Sequence, residues 1–147
     1  MSRSGRISYH LCRLLLGGVF AWAGAVKALD VTAFAGQVAA YQLLPYAWNY
    51  AVAAALPYVE LLAGALLLFN LRVRPAALLL ALLNSVFILV LASVVLRGLS
   101  IDCGCFGPDA GTTPLQALGR DLVLLALAIA VYRQQPRYST PTPPGTA

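Results

Sequence analysis

Of 147 residues, 61% are apolar and only 10% charged, whereas a soluble domain carries about 25% charged residues. With a mean hydropathy of +0.80, a chain this short has too little polar surface to cover its apolar side chains in water, which excludes an ordinary soluble fold and leaves a lipid-embedded one. The net charge of +5 comes from basic residues that fall between apolar runs rather than in one patch, a pattern of membrane topology and not of nucleic-acid binding.

The chain opens with Arg3, Arg6, His10 and Arg13, then runs apolar from Leu14 to Leu29 except for Lys27. A basic start, an apolar middle and small residues near Ala21 also describe a cleavable export signal. The further apolar runs favour a retained first span over about 11–30. Gly17, Ala21 and Ala25 recur at helical spacing and suit close helix packing, although small residues are also simply common in membrane helices. Lys27 and Asp30 are placed to pair across a turn at the end of this span. Val31 to Leu44 is too short to cross a bilayer and reads as an interfacial helix ending near Pro45. Tyr41, Tyr46, Trp48 and Tyr50 then form the aromatic cluster expected at a membrane–water boundary.

A second span covers about 47–69 and contains Pro57, which predicts a kink, and Glu60. The turn from Asn70 to Pro75 carries Arg72 and Arg74. A third span, about 76–96, contains Asn84 and is closed by Arg97. A loop from Gly98 to Thr113 follows. Thr113-Pro114 has the form of an N-cap followed by proline at the first helical position and opens a fourth span, about 114–132, with Arg120 and Asp121 in its early turns. Residues 134–147 are rich in Pro, Ser and Thr and read as a disordered tail. The expected fold is therefore all-α: an integral membrane four-helix bundle with a short extracytoplasmic interfacial helix, residues 1–133 forming the membrane domain.

Four spans must alternate in direction. With a cytoplasmic N-terminus, the inner segments hold Arg3, Arg6, Arg13, Arg72, Arg74, Arg133 and Arg137, and the outer parts hold only Lys27, Arg97 and Arg120. This bias predicts that both termini face the cytoplasm and that the loop Ile101-Asp102-Cys103-Gly104-Cys105-Phe106-Gly107-Pro108 lies outside, where disulfides persist. The third cysteine, Cys12, falls at the opposite face, about 30 Å away, and reads as an apolar helix filler.

Two candidate sites follow. Cys103 and Cys105, separated by one glycine, can close a very small and strained disulfide ring, which suits thiol–disulfide exchange. A structural disulfide and a metal site are the alternatives. With no histidine on that face and only Asp102 and Asp109 nearby, the donor set is poor for a soft metal, and no metal is assigned. Arg97 serves either to lower a thiol pKa or to anchor lipid headgroups. The second candidate is Glu60, which at ~1.5 Å per residue sits at nearly the depth of Asn84. A shared hydrogen bond would make the two a link between helices, and a proton-handling or quinone-facing carboxyl is the functional alternative. Lys27 lies nearer the outer face and is not expected to meet Glu60 without a kink or a change of register. No cofactor is demanded; a quinone docked between the helices is the candidate.

The chain resembles the MauE family of methylamine-utilisation membrane proteins, within the broader DoxX-like group. The resemblance rests on the first span through Lys27 and Asp30, Leu44-Pro45, Leu56-Pro57 with Glu60, the turn with Arg72 and Arg74, and Cys103-Gly104-Cys105-Phe106-Gly107. It implies a four-helix bacterial inner-membrane protein whose loop cysteines are a redox pair. It further implies a periplasmic thioredoxin-like partner and a role in maturing a disulfide-rich client, as with the methylamine dehydrogenase small subunit. The sequence has no second cysteine pair for an internal shuttle, so exchange would run directly with a partner or pass electrons to quinone. A membrane assembly scaffold without catalysis and a small-solute carrier lined by Glu60 and Asn84 are the competing functions.

Overall fold

A computed structural model describes residues 3–99 and 113–135, and its described residues are all-α with no strand. In chain order the helices are α1 (Arg3–Leu29), α2 (Val31–Ala40), α3 (Tyr46–Leu68), α4 (Val73–Leu96) and α5 (Pro114–Gln134). All but α2 are long and apolar enough to cross a membrane. The chain is thus a multi-pass membrane protein with a shorter extra helix. Cys103, Cys105 and residues 136–147 of the tail lie outside the described residues, while Gln134 ends α5.

The four long helices form a ring in the order α1–α3–α4–α5, each touching the two beside it, with α2 laid chiefly on α3. Neighbours run antiparallel. Large apolar side chains such as Trp22, Leu62, Leu82, Leu89 and Val123 face outward, as they can when lipid is the surrounding solvent. Because lipid tails are as apolar as leucine, burial of such groups does little to drive association; close packing has to supply it.

The α1–α3 contact shows how. A Cβ added to Gly64 would sit 2.6 Å from the Ala21 nitrogen and 2.8 Å from the Gly17 carbonyl oxygen. One added to Gly24 would sit 2.7 Å from both the Leu61 nitrogen and the Pro57 carbonyl oxygen. The two backbones touch because these positions have no side chain. The stripe expected at Gly17, Ala21 and Ala25 is therefore used through Gly17 and Ala21, with Gly24 as its third close approach.

Local chemistry sets the ends of the helices. Asn70 adopts φ 59° after α3, where Leu71 N–H donates to the Leu66 carbonyl at 2.8 Å and Asn70 N–H to that of Leu67 at 3.2 Å. Gly98 repeats this left-handed termination after α4 at φ 65°. Thr113 and Gln116 form a reciprocal capping box with Pro114 at the first helical position, as the sequence predicts. Arg13, expected as a topology charge, is buried instead. Its Nη1 donates to the Leu67 carbonyl at 2.7 Å, placing a cation on the negative end of α3. α3 passes through the buried Pro57 as one helix.

One sequence expectation is corrected and two are made more specific. Helix α1 begins at Arg3, so it extends beyond the expected span of about 11–30. The expected short helix is present as α2, and it packs on α3, with Phe34 and Val38 buried beside Ala53. Tyr41 is buried against Phe87 and is not part of the exposed belt, although Tyr46, Trp48 and Tyr50 are exposed. With Gly24 against Pro57 and Leu61, α3 extends about two turns beyond the end of α1, and α2 packs on that overhang.

Replacing Gly64 with valine should force α1 and α3 apart and cost about 1–3 kcal/mol. Gly18→Ala, where an added Cβ meets nothing within 4 Å, should be nearly neutral. Equilibrium unfolding in mixed micelles or bicelles would compare the two.

Candidate functional site

Each long helix contributes one buried polar residue to a single layer across the bundle: Lys27 from α1, Glu60 from α3, Asn84 from α4 and Asp121 from α5. Apolar packing lies on both sides. Leu16, Phe20, Leu67, Leu80 and Leu124 fill the side toward the N-terminus of α1. Tyr41, Leu91, Val94 and Ala117 form one cluster on the other side, and Phe34, Val38 and Ala53 a second.

Lys27 Nζ donates to both oxygens of Glu60, at 3.0 and 2.8 Å, and lies 5.2 Å from the centre of the Phe34 ring. The cation is thus held by a carboxylate from α3 and an aromatic face from α2. Burying either ion alone would be expensive; together, with both carboxylate oxygens engaged, they offset most of that cost. Arg120 Nη2 and Nε each lie 3.0 Å from Asp121 Oδ1, making a second pair. Asp121 Oδ2 is buried without a hydrogen-bond partner. Asn84 Nδ2 donates to the backbone carbonyl of Asp121 at 2.6 Å, tying α4 to α5. The layer surrounds a cavity of about 40 Å³ whose walls include Lys27, Glu60, Asn84, Arg120 and Asp121, room for a few waters.

Three expectations for this region are overturned. Lys27 does not pair with Asp30, which instead caps α2 by accepting from Ala33 N–H at 2.9 Å. Lys27 does meet Glu60, because the antiparallel register set by the glycine contacts places the last turn of α1 opposite the middle of α3. Glu60 and Asn84 do line one cavity, but Asn84 turns to α5 rather than to Glu60. Sequence reasoning missed Asp121 as a member of this group. The available clue was that each of the four spans carries an intramembrane polar residue, which is costly unless the residues meet.

Arg97 donates to the Tyr41 carbonyl at 2.6 Å and to that of Ser93 at 3.3 Å, joining the end of α4 to the end of α2. The chain leaves the described region at Leu99, which packs in the cluster with Tyr41 and Leu118, and re-enters at Thr113, one turn before Ala117 of the same cluster. Cys12 is free and half-buried against the larger apolar cluster, in keeping with a helix filler. Among the described residues no group of three or more His, Cys, Asp or Glu is placed to hold a metal.

Four membrane-length helices around a charged interior layer define a small multi-pass membrane protein of the polar-centred bundle type. The family model for Methylamine utilisation protein MauE matches residues 5–133, and the chain belongs to that family. No curated protein and no solved structure matches it.

Breaking the α1–α3 pair with Glu60→Gln or Lys27→Met should each cost about 3 kcal/mol, because the remaining group is stranded in the interior. The combined variant Lys27→Met/Glu60→Leu should recover most of the loss. A double-mutant cycle on unfolding free energy measures this coupling.

Proposed function

We propose that the protein is the membrane component of a thiol–disulfide exchange system on the outer side of a bacterial inner membrane. In this reading both termini face the cytoplasm, and Cys103 and Cys105 face the periplasm. The partner is a thioredoxin-like protein or a disulfide-containing client of the methylamine dehydrogenase small-subunit kind. The observation that carries the reading is the Cys103-Gly104-Cys105 sequence between α4 and α5, within the stretch matched by the MauE family. Family membership is consistent with a role in disulfide-related membrane processes. The orientation is supported by charge: Arg6 near the start of α1, Arg72 and Arg74 at the α3–α4 turn and Arg133 at the end of α5 gather at one end of the bundle.

Exchange requires only sulfur chemistry. A thiolate of the loop pair attacks a partner disulfide, forming one S–S bond and releasing one partner thiolate. The second loop thiolate then attacks the mixed disulfide, closing the Cys103–Cys105 bond and releasing the partner as a dithiol. Two electrons move from the loop to the partner; the reverse sequence oxidises the partner. Glu60, with Lys27, Asn84, Arg120 and Asp121, forms a polar centre where a proton can be held within the bundle. The carrier reading is disfavoured because the space lined by Glu60 and Asn84 is only about 40 Å³ and the larger cavity beside it is apolar, which leaves little room for a polar solute.

Cys103→Ser and Cys105→Ser should each reduce exchange with the partner to background while membrane insertion stays intact. A single-cysteine variant should trap the partner as a mixed disulfide identifiable by mass spectrometry. A membrane-impermeant maleimide added from the periplasmic side should label the loop only after mild reduction. Full activity in the double-serine protein would leave the scaffold reading in its place, and labelling from the cytoplasmic side would overturn the orientation.

A further inference from the structure

Beside the polar layer lies a second space of different character. A cavity of about 380 Å³ opens between α2, α3 and α4, with walls that include Val38, Val52, Leu56 and Val90. Its lining is wholly apolar, and its volume falls in the range of small-molecule sites. Leu83 and Phe87, one turn apart on α4, belong to the walls of both this cavity and the small polar one. At that seam an apolar chamber of ligand size adjoins a cluster of hydrogen-bonding groups.

We propose that the two spaces form one binding site for a lipid-borne quinone, its ring at the Leu83–Phe87 seam and its chain in the apolar cavity. Charge selects the kind of head. Lys27 is matched by Glu60 and Arg120 by Asp121, so the layer carries balanced charge. A fatty-acid carboxylate would meet two carboxylates, and a cationic head two cations; a neutral head meets neither penalty. The layer still offers the third N–H of Lys27, two being engaged by Glu60, from which a ring carbonyl can accept. It also offers an acceptor, Asp121 Oδ2, on a side chain only 3% exposed and without a partner, to which the hydroxyl of the reduced ring can donate. A neutral, flat molecule that presents acceptors in one state and donors in the other, and carries an apolar chain, has the chemistry of a quinone. This site uses none of the loop cysteines and is independent of their exchange role.

The full chain in phosphatidylcholine nanodiscs, titrated with decylubiquinone, should bind it saturably, and oleate at least tenfold more weakly. Val90→Trp and Val52→Phe, which fill the apolar cavity from opposite walls, should each weaken decylubiquinone binding at least tenfold. The Cys103→Ser/Cys105→Ser protein should bind as the unmodified chain does, so failure of the thiol reading and failure of this one are distinguishable. An azido-quinone photolabel on the unmodified chain should attach to α3 and α4 residues around the cavity, a readout that does not depend on the variants folding. Absence of saturable binding, oleate binding as tightly as decylubiquinone, unchanged affinity in both folded cavity-filling variants, or labelling elsewhere would each overturn the site.

Discussion

The Lys27–Glu60 pair is the constraint to which the rest of the bundle conforms. Moving an ion into an apolar interior costs several kcal/mol even after relaxation, so each of these two groups is tolerable only where the other can reach it. At 2.8 Å the pair admits little slip. A shift of one helical turn would move them apart by about 5.4 Å. The glycine contacts between α1 and α3 enforce the same register through backbone shape, since Gly64 fits only against Gly17 and Ala21. Packing and electrostatics thus select one alignment, and Asn84 and Asp121 close the layer from the other side of the ring.

This arrangement inverts the usual distribution of a small soluble protein. Apolar side chains cover the outside, and the most strongly polar contacts lie within. Above and below the layer the packing is ordinary, with leucine, valine and alanine in contact. One end gathers the basic residues of the helix termini, including the buried Arg13 on the carbonyl end of α3. The other holds α2, locked to α4 by Arg97 and Tyr41. There the chain leaves for residues 100–112 and returns. This member of the MauE family has a charged centre beneath the end from which residues 100–112 depart.

Much of the fold was legible because lipid imposes simple rules. Long apolar runs separated by arginine turns, Thr113-Pro114 and the short segment after Asp30 all declare themselves locally. The site was only half legible. Glu60 and Asn84 stood out as polar residues in apolar runs, and their similar depth followed from helix rise. Their partners did not follow, because depth was counted from assumed span ends. Helix α3 overhangs the end of α1, so the last turn of α1 faces the middle of α3 rather than its end. Distance from the span ends alone therefore places Lys27 near the surface, beside its sequence neighbour Asp30.

The amino-acid sequence by itself determined that this protein lives in a membrane, that it has four spans with a shorter helix after the first, and to which family it is kin. Those properties depend on composition and on patterns within one helix. Only the tertiary structure decided that Lys27 meets Glu60, that Asn84 turns to the Asp121 backbone and that α2 packs on α3. These depend on the order of helices around the ring and on their relative heights, which are set by contacts between residues far apart in the chain.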